Sequence, residues 1–281
     1  SGMEKRKHMR FGVFLRKYGK VMIGGTIIAL VIFCAVFAPL ITSFPPDKLD
    51  VSNAKLLPGG AHLLGTDTYG RDLFSVVVYG SRTTLIVAVG AQLMIVVCGT
   101  ILGLLCGYYS KAEKILMRFL DAFSTIPNLL LCLLMISVFG AGTFNMIVAM
   151  SIHGIPGVAR MVRNQVLSLR EKEYIESEKA MGASDLRTVF VHILPACSSY
   201  LLVTFSNGLA GAILSMTALS YLGVGLDPTV ASWGGAVQDG QRIMFAFPHV
   251  VLYPSLAICF TVFGFSMLGD GLRDILDPKL R

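Results

Sequence analysis

Long uncharged, apolar stretches alternate with short charged segments along most of the chain. A helix that spans a membrane needs about 20 predominantly apolar residues, and several of these stretches reach that length. The uncharged stretch between Asp121 and Arg160 is too long for one such helix, and Gly140 and Gly142 divide it into two. The pattern predicts an all-α integral membrane protein with six transmembrane helices, over Val21–Ser43, Thr83–Gly107, Leu116–Phe139, Phe144–Gln165, Ser199–Leu222 and Pro248–Gly269.

The composition agrees with a membrane location. Of the 281 residues, 54% are hydrophobic and 15% are charged, whereas an average soluble domain carries about 25% charged residues. The deficit excludes a soluble enzyme, a disordered chain and a disulfide scaffold, because too little charge remains to cover a water-facing surface. The six cysteines stand singly in or beside apolar stretches, without CxxC spacing. We therefore expect reduced, buried thiols and neither a disulfide nor a bound metal.

The basic residues set the orientation in the membrane. The net charge of +7 is explained better by basic residues flanking membrane helices than by a nucleic-acid partner, because no basic stripe is interleaved with aromatic residues. Six helices place both termini on one side, and positively charged segments favour the cytosol. With both termini in the cytosol, every Lys and Arg residue lies there except Lys48, Lys55, Arg71, Arg82 and Arg242.

This topology divides the chain at the ends of the first and last helices. Residues 73–79 precede the second helix and are apolar enough to lie along the outer membrane surface. Trp233, the only tryptophan, falls in another extracytoplasmic loop and is expected to anchor at the lipid headgroups. The expected parts are a basic cytosolic tail (1–20), the first transmembrane helix (21–43), an extracytoplasmic loop (44–82), a core of five helices (83–272) with a cytosolic loop at 171–195, and a cytosolic tail (273–281).

The cytosolic loop between the fourth and fifth helices predicts two short helices joined by a sharp turn. Residues Tyr174–Met181 have helical character, and Gly182 ends that helix because glycine adopts positive φ freely. Ser184 is suited to cap a second helix that has Asp185 in its first turn, and Pro195 closes it before the next span. The residues alone leave two interpretations open, a functional element or an ordinary amphipathic hairpin at the membrane surface.

This loop resembles a known family. The run from Tyr174 to Pro195 is similar to the cytosolic EAA loop of ABC importer permeases, in the form found in the oligopeptide, dipeptide and nickel branch. Ser177 and Glu178 depart from the pattern, because the family has paired alanines at these positions.

Three further stretches strengthen the resemblance. His62–Asp72 is similar to the family signature HPLGTDxxGRD, with Leu63 in place of the proline. The segment 222–240, with Pro228 and Trp233 in it, is similar to the outer loop before the last helix, and 268–281 to the usual C-terminal sequence. Together the four stretches cover nearly the whole chain. They identify it as a member of this family, with the shape of the shorter, C-type permease.

The resemblance implies the fold of a type I ABC importer transmembrane subunit and a function in the import of short peptides. It implies as partners a second homologous permease, two cytosolic ATPase subunits that bind ATP and Mg²⁺, and an extracytoplasmic solute-binding protein. This chain would then contain no catalytic residue, no cofactor and no metal, because ATP hydrolysis takes place in the partners. Nickel, a metallophore or glutathione is the alternative solute within the same architecture.

The resemblance also assigns residues to two of these partners. The ATPases are expected to dock on the cytosolic loop at Tyr174, Glu176, Ala180, Met181, Gly182, Ala183, Ser184, Leu194 and Pro195. The binding protein is expected to face Gly65, Thr66, Asp67, Gly70, Arg71, Asp72, Trp233, Gly234 and Asp239.

An ion-coupled secondary transporter is the alternative from another class. Such a carrier usually buries a coupling carboxylate near mid-membrane, whereas Asp121 lies near the start of its predicted helix and close to Arg118, which favours an interfacial ion pair. His153 is expected to form a hydrogen bond between helices. An intramembrane enzyme is disfavoured, because the sequence contains no GxxxxGK[ST] loop, no HExxH and no GxSxG.

We predict from the charge asymmetry that both termini and the segment 170–187 lie in the cytosol. A membrane-impermeant thiol reagent added to intact cells should label Asn53→Cys and Gln238→Cys and spare Arg170→Cys. Labelling of permeabilised membranes provides the control, since all three positions should then react. Strong labelling of Arg170→Cys in intact cells would overturn the orientation.

Overall fold

The computed structural model describes residues 2–227 and 229–276, with the side chains of 18–175, 177, 178, 180–227 and 229–276. No strand occurs among these residues, which form helices joined by short loops. A π-helical segment (Thr188–Ile193) precedes α8, and a 3₁₀ turn (Val51–Asn53) lies in the first long loop. The helices are α1 (Gly2–Ile41), α2 (Leu73–Tyr108), α3 (Ser110–Ser124), α4 (Asn128–Phe139), α5 (Thr143–Arg170), α6 (Glu173–Ala180), α7 (Asp185–Arg187), α8 (Leu194–Tyr221), α9 (Trp233–Gln241) and α10 (His249–Leu276).

The all-α architecture is confirmed. Among the described residues, however, fewer than six helices are long and apolar enough to span a membrane. Within the described part of the chain, four helical stretches qualify, namely Tyr18–Ile41, α2, Asp185–Tyr221 and α10. The bent pair α3 and α4 raises the number to five if it counts as one span. The predicted fourth span coincides with α5, whose apolar sequence is interrupted by Asn145, His153 and Arg160.

The prediction of one continuous helix over Leu116–Phe139 is wrong. The chain bends by 93° between α3 and α4. Pro127 lies at the break; it offers no N–H to a helix and disfavours helical geometry at the preceding residue. Asp121 forms an ion pair in this region, but its partner is Arg160 of α5 at 2.7 Å and not Arg118. The ion pair therefore connects α3 to α5 instead of lying along one helix.

Helices α2 and α5 form the most extensively packed pair. They run in the same direction, because Gly99, Gly103 and Gly107 of α2 face successively later residues of α5, Val158, Val162 and Val166. A Cβ atom built on Gly103 would lie 2.6 Å from Cβ of Val162, so a larger residue would separate the helices. Small residues allow such an approach, which supplies much of the packing between helices in a membrane.

Helix α1 packs along α10 in a similar way. A Cβ on Gly24 would lie 2.6 Å from the carbonyl oxygen of Gly264, and one on Gly271 would meet Val21. An ion pair of 2.8 Å joins Lys20 to Asp274 at the end of this contact. The residues assigned to a cytosolic tail are part of α1, which is helical from Gly2 onwards.

The beginning of α2 differs from the expected surface segment. Leu73 and Val76 are 0% and 1% exposed, so the expectation that residues 73–79 lie along the outer membrane surface is wrong. Asp72 caps this end of the helix, because its side chain accepts hydrogen bonds from the backbone N–H and the hydroxyl of Ser75, both at 2.8 Å. Helix α2 therefore begins inside the segment that we had assigned to the loop 44–82.

Candidate functional site

The loop that is predicted to lie in the cytosol folds into the expected hairpin. Helix α6 ends before Gly182, whose φ of +88° is the left-handed conformation that glycine favours. The side chain of Ser184 then accepts a hydrogen bond from the N–H of Arg187 and caps α7. Pro195 does not close this second helix, because α7 continues through the π-helical segment into α8. A proline in the first turn of a helix is tolerated, and it stands there in α8.

Large apolar side chains are exposed on this hairpin. We define the hairpin tip as residues 180–186, which include Met181 at 81% exposure and Leu186 at 68%. Tyr174 on α6 is 48% exposed, and a Cβ on Gly182 would meet no atom within 4 Å. Of the other predicted docking residues, the side chain of Glu176 lies outside the described residues, Ala180, Ser184 and Pro195 are exposed, and Ala183 and Leu194 are half-buried.

A largely buried acidic residue, Glu178, connects the two arms of the hairpin. The side chain of Glu178 is 13% exposed; its Oε2 lies 2.8 Å from Nε2 of His192, and its Oε1 lies 3.5 Å from Nε of Arg187. These contacts of Glu178 join α6 to the helical run that follows the turn. The departure from the family pattern at Glu178 is therefore an internal connection of the hairpin, which the sequence did not predict.

The base of the hairpin is tied to α2 and α5. Ile175 of α6 is fully buried. Nη1 of Arg170 donates to the backbone carbonyls of Gly107 and Tyr108, each at 3.0 Å, and the Tyr108 hydroxyl donates to Oδ1 of Asp185 at 2.6 Å. Met181 and Leu186 of the tip are thus exposed, while Asp185 of the tip and Arg170 before the hairpin are both hydrogen-bonded to α2.

At the opposite end of the helices, a buried ion cluster fastens the first long loop to α9. Nε of Arg71 donates to Asp67 at 2.5 Å, and its Nη2 donates to Asp239 at 2.7 Å. Burial lowers the pKa of Arg71, but Asp67 and Asp239 outweigh this and raise it above the ordinary value. Burial also raises the pKa of Asp239, against the opposing effect of Arg71. We call Asp67, Arg71 and Asp239 the cap cluster.

The glycines of this loop allow close backbone contacts. Gly65 and Gly70 have φ of +81° and +76°. A Cβ on Gly70 would overlap the carbonyl oxygen of Asp50, and one on Gly65 would overlap that of Leu56. His62 lies 2.9 Å from Asp72, which connects the start of the loop motif to its end.

Most of the residues predicted to face the binding protein are buried within this chain. Trp233 is 2% exposed, so its expected role as a headgroup anchor is wrong; its indole N–H donates to the carbonyl of Val77 at 2.8 Å. A Cβ on Gly80 would lie 2.6 Å from the Trp233 ring, so the ring has room there because residue 80 is a glycine. The other predicted residues that are buried are Gly65, Thr66, Asp67, Gly70, Arg71, Asp72 and Gly234.

Polar residues within the helices line a cavity that the sequence analysis missed. Gln92 of α2, Asn128 of α4, His153 of α5 and Ser215 of α8 surround about 150 Å³. The expected hydrogen bond of His153 is not found on Nδ1, which is buried and has no partner among the described residues. Single polar residues in apolar helices were the available signal, but the sequence did not show which of them face one another.

Comparison with known proteins agrees with this arrangement. A family model described as the binding-protein-dependent transport system inner membrane component matches residues 99–281. A second model, the N-terminal TM domain of oligopeptide transport permease C, matches residues 15–58. The chain belongs to this family of transport permeases. The permease family is an inner membrane component of transport systems, which agrees with the apolar helices of the fold.

Several curated permeases are similar to this chain over most of its length. It is 39% identical to the glutathione transport system permease protein GsiD of Pectobacterium atrosepticum, over 95% of this chain and 89% of that permease. It is 37% identical to the dipeptide transport system permease protein DppC of Alkalihalophilus pseudofirmus, over 95% and 88%. The oligopeptide transport system permease protein OppC of Bacillus subtilis is 38% identical, over 92% and 86%.

We predict that Arg71→Ala destabilises the permease. Removing the guanidinium leaves two buried carboxylates without their counter-charge, and breaking a buried ion pair in this way costs about 3–5 kcal/mol. Thermal unfolding of the purified protein, followed by fluorescence of Trp233, should show a clear decrease in Tm. Arg242→Ala removes an exposed arginine on the same side and should leave the Tm unchanged. Equal Tm values for the two variants would show that the cap cluster contributes no stability.

Proposed function

We propose that this chain is one of two permease subunits of an ATP-driven importer of short peptides. A second, homologous permease completes the path through the membrane, and two cytosolic ATPase subunits drive the cycle. An extracytoplasmic binding protein delivers the solute. ATP and Mg²⁺ bind to the ATPase subunits, and this chain acts without catalytic residues.

The exposed hairpin tip is the observation that carries the proposal. Met181 and Leu186 present apolar surface at the end of a helical hairpin, beyond the packed helices. Apolar side chains that project into water in this way mark a protein interface. In this proposal the tip fits a groove on an ATPase subunit, and the contacts of Glu178 with Arg187 and His192 hold the two arms of the hairpin together when it moves.

The hairpin lies between two helices that it would move together. Helix α5 leads into it and the continuous run α7–α8 leads out of it. Closure of the ATPases on ATP would tilt both helices against the second permease. Access to the path would then switch from one side of the membrane to the other.

Short peptides are the solute class that the relatives favour. The names of similar permeases refer to dipeptide, oligopeptide and glutathione transport, and glutathione is itself a small peptide. Nickel or a metallophore stays an alternative within the same architecture, and an ion-coupled carrier stays the alternative from another class. Each alternative requires a different solute or a different energy source, which makes them experimentally separable.

The binding protein would contact the exposed surface that the cap cluster supports. Phe245, in the loop after α9, is 95% exposed, and Leu57 and Leu63 of the first long loop are 67% and 70% exposed. The buried motif residues hold this surface in shape, since Arg71 connects the loop to α9. In this proposal the motif residues organise the receptor surface and their exposed neighbours form it.

Uptake by the reconstituted complex tests the proposed function. Proteoliposomes containing both permeases and both ATPases, supplied with the binding protein and internal ATP, should accumulate a labelled dipeptide. A proton or sodium gradient without ATP should produce no uptake. Accumulation of nickel in place of peptide would favour the metal alternative, and uptake driven by the ion gradient would overturn the ATP-driven mechanism.

Gly182→Leu should separate docking from folding. A side chain at φ of +88° costs about 1–2 kcal/mol, and the leucine would redirect the turn and obstruct the ATPase groove. We expect normal membrane abundance and normal pairing with the second permease, but loss of ATPase co-purification and of peptide uptake.

A matched control exists at the other end of the helices. Gly140 has φ of +85° and, like Gly182, has no atom within 4 Å of a built Cβ. Gly140→Leu therefore imposes a similar backbone strain away from the hairpin tip and should retain ATPase binding. If Gly182→Leu also retained ATPase binding and uptake, the hairpin would be only a packing element at the membrane surface.

A further inference from the structure

The cavity between α2, α4, α5 and α8 contains polar groups that the fold leaves incompletely paired. Gln92 is 4% exposed, and its amide donates to the carbonyl of Thr204 at 3.3 Å, which fixes its side chain against Gly208. Nδ2 of Asn128 lies 3.5 Å from Oγ of Ser215, which is at the upper limit of distance for a hydrogen bond. Nδ1 of His153 is buried without a partner among the described residues.

Unpaired polar groups inside a membrane protein need an explanation. A buried donor or acceptor without a partner is costly, and polar residues within transmembrane segments usually mark the path of a solute or ion. Met150, Ala91 and Ala212 complete the wall of the cavity. The polar groups of four helices therefore meet in one place among apolar and small neighbours.

The cavity adjoins a larger opening. The two share Gln92, Ile95, Gly154 and Gly208, and the larger one encloses about 900 Å³. It extends along α8 to Ala196 and Ser199 and along α10 to Arg273 and Leu276. These residues lie at the same end of the packed helices as the hairpin. A solute that reaches the polar groups thus has an open route towards that end.

Two glycines leave room on the lining of these spaces. A Cβ on Gly211, which faces the smaller cavity, would meet no atom within 4 Å, and the same holds for Gly157 in the larger one. Larger residues would fit there without disturbing this chain. Their absence keeps the route wide, as a path for a molecule larger than an ion requires.

We propose that Gln92, Asn128, His153 and Ser215 form an intramembrane contact site for the backbone of the transported peptide. The inference rests on the proposed function and adds the part of the path that recognises the solute. The four side chains offer amide, imidazole and hydroxyl groups, which include both donors and acceptors and no carboxylate, lysine or arginine. This chemistry matches a peptide bond, which presents one N–H and one C=O.

A plug in the cavity tests whether peptide passes there. In the complete complex, Gly211→Leu should reduce dipeptide uptake at least about tenfold while ATPase assembly and unstimulated ATP hydrolysis stay normal. Gly25→Leu is the matched control, because Gly25 lies in α1 and likewise has no atom within 4 Å of a built Cβ. Equal uptake by the two variants would overturn the assignment of the cavity to the path.

A pair of substrates tests the polar contact itself. At least one of the variants His153→Phe and Ser215→Ala should lower kcat/KM for a dipeptide about five- to tenfold, because the single peptide N–H donates one hydrogen bond to one of these side chains. They should have little effect on the same dipeptide methylated at its peptide nitrogen, which cannot donate that bond. Ser137→Ala is the control on α4, since its hydroxyl is exposed and bonds to the carbonyl of Leu133.

The outcomes separate this proposal from the proposed function. Loss of discrimination between the two dipeptides in either variant, at normal complex abundance, supports the contact site. If His153→Phe does not accumulate, Ser215→Ala alone provides the test. Unchanged discrimination in every variant that accumulates overturns the contact site while leaving peptide import intact. A wild-type complex that transports no peptide at all overturns both.

Discussion

The close contact between α2 and α5 is the constraint on which the rest of the structure depends. Glycines at 99, 103 and 107 allow α2 to approach the valines of α5 along several turns. In a membrane, helices gain little from the hydrophobic effect against lipid, so the fit of small residues and polar contacts provides much of their association. A pair held this closely moves as one body.

Each functional region is attached to this pair. The cavity has Gln92 of α2 and His153 of α5 on its wall. The hairpin follows α5 directly, and Arg170 ties that end to the last turn of α2. At the opposite end, Trp233 of α9 rests on Gly80 of α2 and donates to Val77. In the proposed mechanism, a displacement at the hairpin therefore reaches the cavity and the external surface through one rigid element.

The sequence predicted the elements better than their contacts. Apolar length indicates where helices lie, and Gly182 indicated the turn, because both depend on local physical properties. Pro127 is itself a local signal for the bend, but the length of the apolar stretch favoured the prediction of one continuous helix. Trp233 was misread because its burial depends on Gly80, a residue far away in the sequence. The same applies to the cavity, since the facing of Asn128 and Ser215 results from packing and not from spacing.

The cap cluster shows that charged residues of the family motif stabilise the loop in which they lie. The signature at 62–72 resembles a recognition sequence, yet its charged side chains are satisfied internally. A motif of this kind specifies a loop conformation, whereas the side chain of Phe245, outside the motif, is 95% exposed.

The ion pair between Arg71 and Asp239 places a condition on biosynthesis. The two residues are 168 positions apart, so at 5–20 residues per second the ribosome needs roughly 8 to 34 s to add the second after the first. During that interval the loop holds a guanidinium and only one of its two carboxylates. This end of the molecule is therefore completed late, once α9 has been made. A chain that stops before Asp239 would display a loop whose guanidinium lacks its second carboxylate.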